Sequence, residues 1–412
     1  MIQVNRHTLD NGLRIVHEED NSTQMVVLNI AYNVGSKDEN PNHTGFAHLF
    51  EHLMFGGSVH IPDYDTHVQN ACGSDNAWTN NDLTNYYITL PKQNVETGFW
   101  LESDRMLSLS FSSNSLEIQR QVVIEEFKQR CLNLPYGDAS HLIRAMAYKV
   151  HPYQWPTIGK KISHISNATI DEVKHFFFRF YAPNNAVLSV TGHISFDKTV
   201  ELAQKWFGTI ERRNVPVRNL PQEPKQTEER RQEVERSVPS DAIYMAFHIC
   251  KRRHPGFYAF DAISDLLSNG RSSRLTQHLI KEKRIFNSID AYITDCIDAG
   301  LFIIYGKPAQ GILLEQAETA IWEELDKIKS EPISDNELEK VKNQYESNRM
   351  FNNLNYLTIA TNLAFFELIG KAEDINEEIA NYRNTTPQQL QRIANETFVH
   401  SNCSTLYYKA KS

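Results

Sequence analysis

The chain has no Cys-x-x-Cys and no stretch approaching the ~20 consecutive apolar residues that a membrane-spanning helix needs. A span is therefore not expected. Its five cysteines, Cys72, Cys131, Cys250, Cys296 and Cys403, are odd in number and widely spaced. That argues against a disulfide framework or a cysteine-based zinc site and predicts reduced thiols. No long lysine/arginine run occurs and the formal net charge is −9, so nucleic acid is not an expected partner. The opening MIQVNRHTLDNGLRIVHEED lacks the basic-then-apolar layout of a signal peptide. A cytoplasmic protein is expected, or a periplasmic one if a leader has been removed.

What is present is an ordinary globular composition, 41% hydrophobic and 23% charged. With 412 residues the chain is too long for one compact core, so two or more domains are predicted. The stretch 208–237, GTIERRNVPVRNLPQEPKQTEERRQEVERS, is rich in charge and proline and reads as a linker. Around it lies a faint repeat. TIDEVKHFFFRFYAPNNAVLSV from Thr169 lays over TPQQLQRIANETFVHSNCSTLY from Thr386 without a gap, at an offset of about 217 residues. GFAHLFEHLMFGG, ending at Gly57, pairs with GFYAFDAISDLLSNG, ending at Gly270.

Each half predicts strands, a buried helix, a hairpin, long helices and a closing helix–strand pair. In the first half the strands fall near 11–18 and 25–33, the helix near 44–55 and the hairpin near 75–90. Asn114 with Glu117, and Ser334 with Glu337, are expected capping boxes. Ser195 is an expected N-cap, with Gly208 as terminator. Hairpins mixed with helices, without strict βαβ alternation, favour an α+β fold. The expected architecture is two homologous α/β repeat domains, each a mostly antiparallel sheet packed with helices. The expected boundaries are 1–212, a linker at 213–235, and 236–412 without a metal site.

The chemistry sits in HLFEHLMFGG, residues 48–57. On a helix, His48, Glu51 and His52 share one face, and Phe46, Ala47, Leu49, Phe50, Leu53, Met54 and Phe55 surround them. Burying such groups is costly without compensation. A zinc ion gripped by two imidazoles one turn apart supplies it, which favours a metal site over an ordinary core or surface helix. A third protein ligand is needed. In the helix that ends in QRQVVIEEF the apolar residues Val123, Phe127, Leu116 and Ile118, with Val122 as reference, define a face that contains Glu126 and leaves Glu125 at its margin. Glu126 is the expected third ligand, and Gln119, seven residues earlier, is placed to hydrogen-bond behind the ligands.

HLFEH resembles the inverted zinc-protease signature H-x-x-E-H of the pitrilysin and mitochondrial processing peptidase family. LDNGLRIVHEED, YNVGSKDENPNHTGFAHLFEHLMFGGS, NAWTNNDLTNYYITLP, WLESDRM, QRQVVIEEF and YAPNNAVLSVTG follow that family's pattern in order. The resemblance implies one Zn²⁺ per chain on His48, His52 and Glu126, with Glu51 as catalytic base in peptide hydrolysis. It also implies that Asn76, Ala77, Trp78 and Thr79 line extended substrate by strand addition. Two departures stand out. Gln119 replaces a common glutamate. Lys281 and Ser288 stand where active single-chain relatives place an arginine and a tyrosine, with Arg284 and Tyr292 nearby but out of register. The expectation is a zinc-dependent endopeptidase acting as the catalytic subunit of a two-chain enzyme. A homologous partner then supplies the Arg and Tyr, and a homodimer is the other possibility. The alternative is a catalytically silent scaffolding member of the family. His43 and His60 are expected in loops, FFFRFY at 176–181 in the core, and KRRH at 251–254 in a solvated turn.

Overall fold

The computed structural model describes residues 1–411, which divide into two compact units. The first comprises Met1–Phe127, Trp155–Leu220 and Met350–Glu378; the second comprises Lys128–Gln154, Pro221–Arg349 and the chain from Ile379 onward.

In the first unit the strands are β1 (Asn5–Thr8), β2 (Arg14–Glu19), β3 (Met25–Tyr32), β4 (Ser74–Thr79), β5 (Thr84–Pro91) and β6 (Ala186–Gly192). They form one sheet in the order β1-β2-β6-β3-β5-β4, antiparallel throughout except for β2 beside β6. The second unit holds β7 (Arg230–Arg236), β8 (Ala242–His248), β9 (Phe286–Ile293), β10 (Leu301–Pro308) and β11 (Cys403–Ala410). Their order is β7-β11-β8-β10-β9, and again only the first pair is parallel. Apart from β1 the two connectivities are the same. The repeat is therefore real, and each half is a mostly antiparallel sheet packed with helices.

The units are nevertheless not contiguous halves. A sheet with two apolar faces needs cover on both. The outer face of the first sheet, Val16, Ala31 and Val187, is covered by Ile359, Leu363 and Phe366 from the helix Tyr356–Ile369. In the second unit the helix Ala139–Ala147 brings Ile143 and Met146 onto Ala242, Ala246, Leu301 and Leu406. Each cover comes from the other half of the sequence, which hydrophobic patterning along the chain does not reveal.

The stretch expected as a linker at 213–235 is largely tied down. Arg218 donates to both carboxylate oxygens of Asp38 at 2.7 Å and to Asn33 Oδ1 at 2.7 Å. Residues 230–235 lie in β7, whose charged side chains suit an edge strand.

Local signals fare unevenly. Ser195 caps the helix Phe196–Phe207 by accepting from Lys198 N, and Gly208 follows it. Thr169 and Glu172 form a capping box, and Thr386 accepts from Gln389 N. The box expected at Asn114 is instead started by Ser112, which accepts from Ser115 N, while Glu117 pairs with Arg120. Ser334 does accept from Glu337 N, but the Glu337 carboxylate goes to Arg274. In FFFRFY, Phe176, Phe177, Phe180 and Tyr181 are buried and Phe178 is exposed. KRRH is not wholly solvated: Arg252 is buried, its guanidinium 4.4 Å from the centre of the Phe257 ring.

Candidate active site

Four helices of the first unit matter here: α1 (Phe46–Leu53), α2 (Tyr64–Asn70), α3 (Val95–Leu107) and α4 (Ser113–Phe127). α1 begins after Gly45, whose φ of +89° strongly favours glycine, and a Cβ there would lie 2.6 Å from Ile165 Cδ1. Glycine has no capping side chain, so the first N–H groups of the helix need another acceptor. Glu39 is that acceptor. Its Oε2 accepts from Gly45 N at 2.9 Å and from Trp155 Nε1 at 3.0 Å, and its Oε1 accepts from Ala47 N at 2.8 Å. Burial pushes the Glu39 carboxyl up to about 8, against the pull of those hydrogen bonds.

Leu49, Phe50 and Leu53 turn into the core. His48, Glu51 and His52 are left on the half-buried side, as the spacing predicts. The two imidazoles meet edge to face, with centroids 4.9 Å apart at 87°. Each Nε2 lies 3.5 Å from Glu126 Oε2, in the last turn of α4. That is too long for an N–H···O hydrogen bond. It is the right length for two ligands of one ion: tetrahedral zinc with bonds of 2.0–2.2 Å has ligand–ligand edges of about 3.3–3.6 Å. All three donor atoms fall within 4.8 Å of one another. Two imidazole nitrogens and one carboxylate oxygen suit zinc, so the residues present fit the ion. No other such group of three occurs among the described residues.

Glu125 is exposed on α4. The apolar face expected around Glu126 is narrower than the periodicity suggests. Leu116, Val123 and Phe127 are buried, but Ile118 and Val122 are 51% and 45% exposed. α4 packs against α1 and the helix Ile162–Ser166, and only residues turned to them are covered. Gln119 is half-buried and makes no hydrogen bond to the three donors among the described residues.

β4 runs beside α1 as the edge strand of its sheet, paired only with β5, and Ala77 N donates to Asn76 Oδ1 at 2.8 Å. Asn76 is exposed there; Ala77, Trp78 and Thr79 are half-buried. Ala77 packs on the core, and the Thr79 hydroxyl donates to Glu51 Oε2 at 2.5 Å. A cleft of ≈ 480 Å³ opens alongside, walled by Glu51, His52 and Phe55 from α1, Asp65 and Gln69 from α2, and Asp75 and Asn76 from β4. Burial first, then Asp65 and Glu102, hold the Asp75 carboxyl above the usual range, against the pull of Arg105. Beneath lies buried Arg105, paired with Glu102 and faced by the rings of Tyr64 and Tyr86.

His43 is exposed and pairs with Glu172; exposed His60 pairs with Asp104, each at 2.6 Å. In the second unit Lys281 is exposed and donates to Arg271 O at 3.1 Å. Ser288 is exposed on β9 opposite Lys307, and Tyr292 is exposed on the same strand. Sequence reasoning missed Glu39 and the side-chain contact of Thr79. A helix-initiating glycine with no polar cap is the one signal that points to a remote acceptor such as Glu39.

Residues 14–160 match the family model described as insulinase (peptidase family M16), and residues 167–345 match the one described as the peptidase M16 inactive domain. The chain is 28% identical over 410 residues to the zinc protease PqqE of Helicobacter pylori, covering 98% of this chain and 92% of that protein. It is 26% identical over 318 residues to a probable mitochondrial-processing peptidase subunit beta of Schizosaccharomyces pombe, covering 72% and 68% respectively. The crystal structure of a protease from Helicobacter pylori matches with a TM-score of 0.94 at 27% identity, over 99% of this chain and 100% of that one. With both halves matched by models of one family, and one fold shared along the whole length, the chain belongs to the M16 peptidases, the family of the pitrilysins and mitochondrial processing peptidases.

Proposed function

We propose that this chain is a zinc-dependent endopeptidase in which His48, His52 and Glu126 hold one zinc ion and Glu51 is the general base. The convergence of both Nε2 atoms on Glu126 Oε2 at 3.5 Å carries the reading. When bound, zinc lowers the pKa of a water towards ~7 and polarises a carbonyl. Glu51 takes the proton of the attacking water and returns it to the departing amine nitrogen. The open edge of β4, Asn76–Thr79, receives extended substrate through backbone hydrogen bonds, which tolerates many sequences. The cleft beside it takes side chains.

The Arg and Tyr that hold the substrate carbonyl in single-chain relatives come from a homologous partner subunit. Neither Lys281 nor Ser288 offers an equivalent pair of groups. Purified protein should contain one zinc per chain and, with its partner, cleave an unfolded peptide. Glu51→Gln should keep the zinc and lose activity by about 10²–10⁴-fold. Protein that takes up no zinc, or a Glu51→Gln variant as active as wild type, would overturn the proposal. Full activity of the chain alone would remove the partner from it.

A further inference from the structure

We infer that Thr79 is a positioning residue for the base: its hydroxyl hydrogen, given to Glu51 Oε2, sets the direction in which the carboxylate faces. The inference rests on the reading of Glu51 as base and deepens it.

α1 fixes where Glu51 is, not how its carboxylate is turned. The last torsion of a glutamate is broad and roughly two-fold, while an acid–base group works only when held close to its productive geometry. Something outside the helix must set that torsion. The Thr79 hydroxyl carries one hydrogen, and at 2.5 Å from Glu51 Oε2 that hydrogen is committed. The neighbouring Thr84 hydroxyl, 3.5 Å away, donates to Val34 O at 2.9 Å and does not compete for the carboxylate.

The mounting of Thr79 is stiff. Threonine is restricted at χ1, and Thr79 ends β4 where the chain turns. Asn80 N donates to Leu83 O at 3.0 Å, and Asn80 Oδ1 accepts from Asp82 N and Leu83 N at 2.7 and 2.9 Å. The turn is clamped in place by residues 35–37. Ser36 N and Lys37 N donate to Asn80 O and Asn81 O at 3.1 and 2.9 Å. Lys37 and Asp82 form a buried ion pair at 2.6 Å. Gly35 permits the approach, since a Cβ there would lie 2.5 Å from the Asn81 backbone. At the other end, Glu39 pins the start of α1. Glu51 is thus braced between two fixed points. The Thr79 side chain faces the base rather than a substrate side chain.

The test compares wild type, Thr79→Val and Thr79→Ser, each zinc-loaded and with its partner. Valine keeps the shape and removes the hydrogen; serine keeps the hydrogen. Thr79→Val should lose about 10–100-fold in kcat with KM and zinc content unchanged, and Thr79→Ser should stay within about threefold of wild type. Unchanged kcat in Thr79→Val, or a loss confined to KM, overturns the proposal. A wild type that binds zinc but cleaves nothing is a failure of the peptidase reading instead. The positioning role is then decided by crystal structures of the zinc-loaded proteins. A Glu51 carboxylate turned or split in Thr79→Val, with His48, His52 and Glu126 in place, supports it; an unmoved carboxylate refutes it.

Discussion

Replacing Glu126 by glutamine keeps the length of the side chain and removes its charge, and should strip the chain of most of its zinc. The 3.5 Å separations of Glu126 Oε2 from the two Nε2 atoms match the ligand–ligand edges of tetrahedral zinc with bonds of about 2.1 Å. Structural four-ligand zinc sites bind with roughly 10–16 kcal/mol, so one protein ligand contributes about 3–4 kcal/mol. At about 1.4 kcal/mol per decade, losing it weakens zinc binding by about 10²–10³-fold. Competition against a chelator of known affinity measures that factor directly. X-ray absorption should show two nitrogens and one protein oxygen near 2.1 Å in wild type and one protein ligand fewer in the variant. Hydrolysis should fall in proportion to the zinc lost and return as zinc is raised. A Glu126→Gln variant that binds zinc as tightly as wild type refutes the ligand set, whatever its activity.

Two further outcomes follow from charges elsewhere in the first unit. Burial, with help from Asp20, pushes the Glu18 carboxyl up from 4.5 to about 7. The folded value exceeds the unfolded one, so its stability contribution is complete below about pH 4.5 and is lost as pH rises through 7. Glu18→Gln should therefore melt with wild type at pH 4.5 and above it at pH 8, by about 1 kcal/mol after discounting for solvent; equal melting at both pH values contradicts the assignment. Asp82→Ala leaves Lys37 buried without its carboxylate and should cost about 3–5 kcal/mol in urea unfolding, most of it regained in Lys37→Met/Asp82→Leu. A neutral single variant would show that the pair does not brace the turn after β4.

Local chemistry was legible in the sequence where a short motif sufficed. Three residues within five positions put His48, Glu51 and His52 on one side of a helix, because helical geometry alone decides that. Glu126 lay 74 residues further on, yet periodicity still separated it from Glu125, even though it misplaced Ile118 and Val122. What one helix leaves exposed depends on which neighbours reach it, and α4 is covered on one side only. The same limit explains the divided units. Tyr356–Ile369 is apolar on more than one face and reads as a buried helix, but no residue in it says which sheet it covers.

The repeat shows what stands in the second half at the positions of the ionisable trio. Aligned at the glycines that precede their first buried helices, Gly45 and Gly256, the positions of His48, Glu51 and His52 are taken by Ala259, Ala262 and Ile263, all buried. Once no ion compensates ionisable groups there, the cheapest occupants are small or apolar side chains that simply pack. The second helix keeps its place against its sheet without the chemistry. The first carries the ionisable trio, with Glu39 accepting from Gly45 N and Ala47 N at its start and the Thr79 hydroxyl donating to Glu51. On the reading proposed above, the site is thus a set of polar substitutions on a helix whose repeat counterpart packs in its own unit without them.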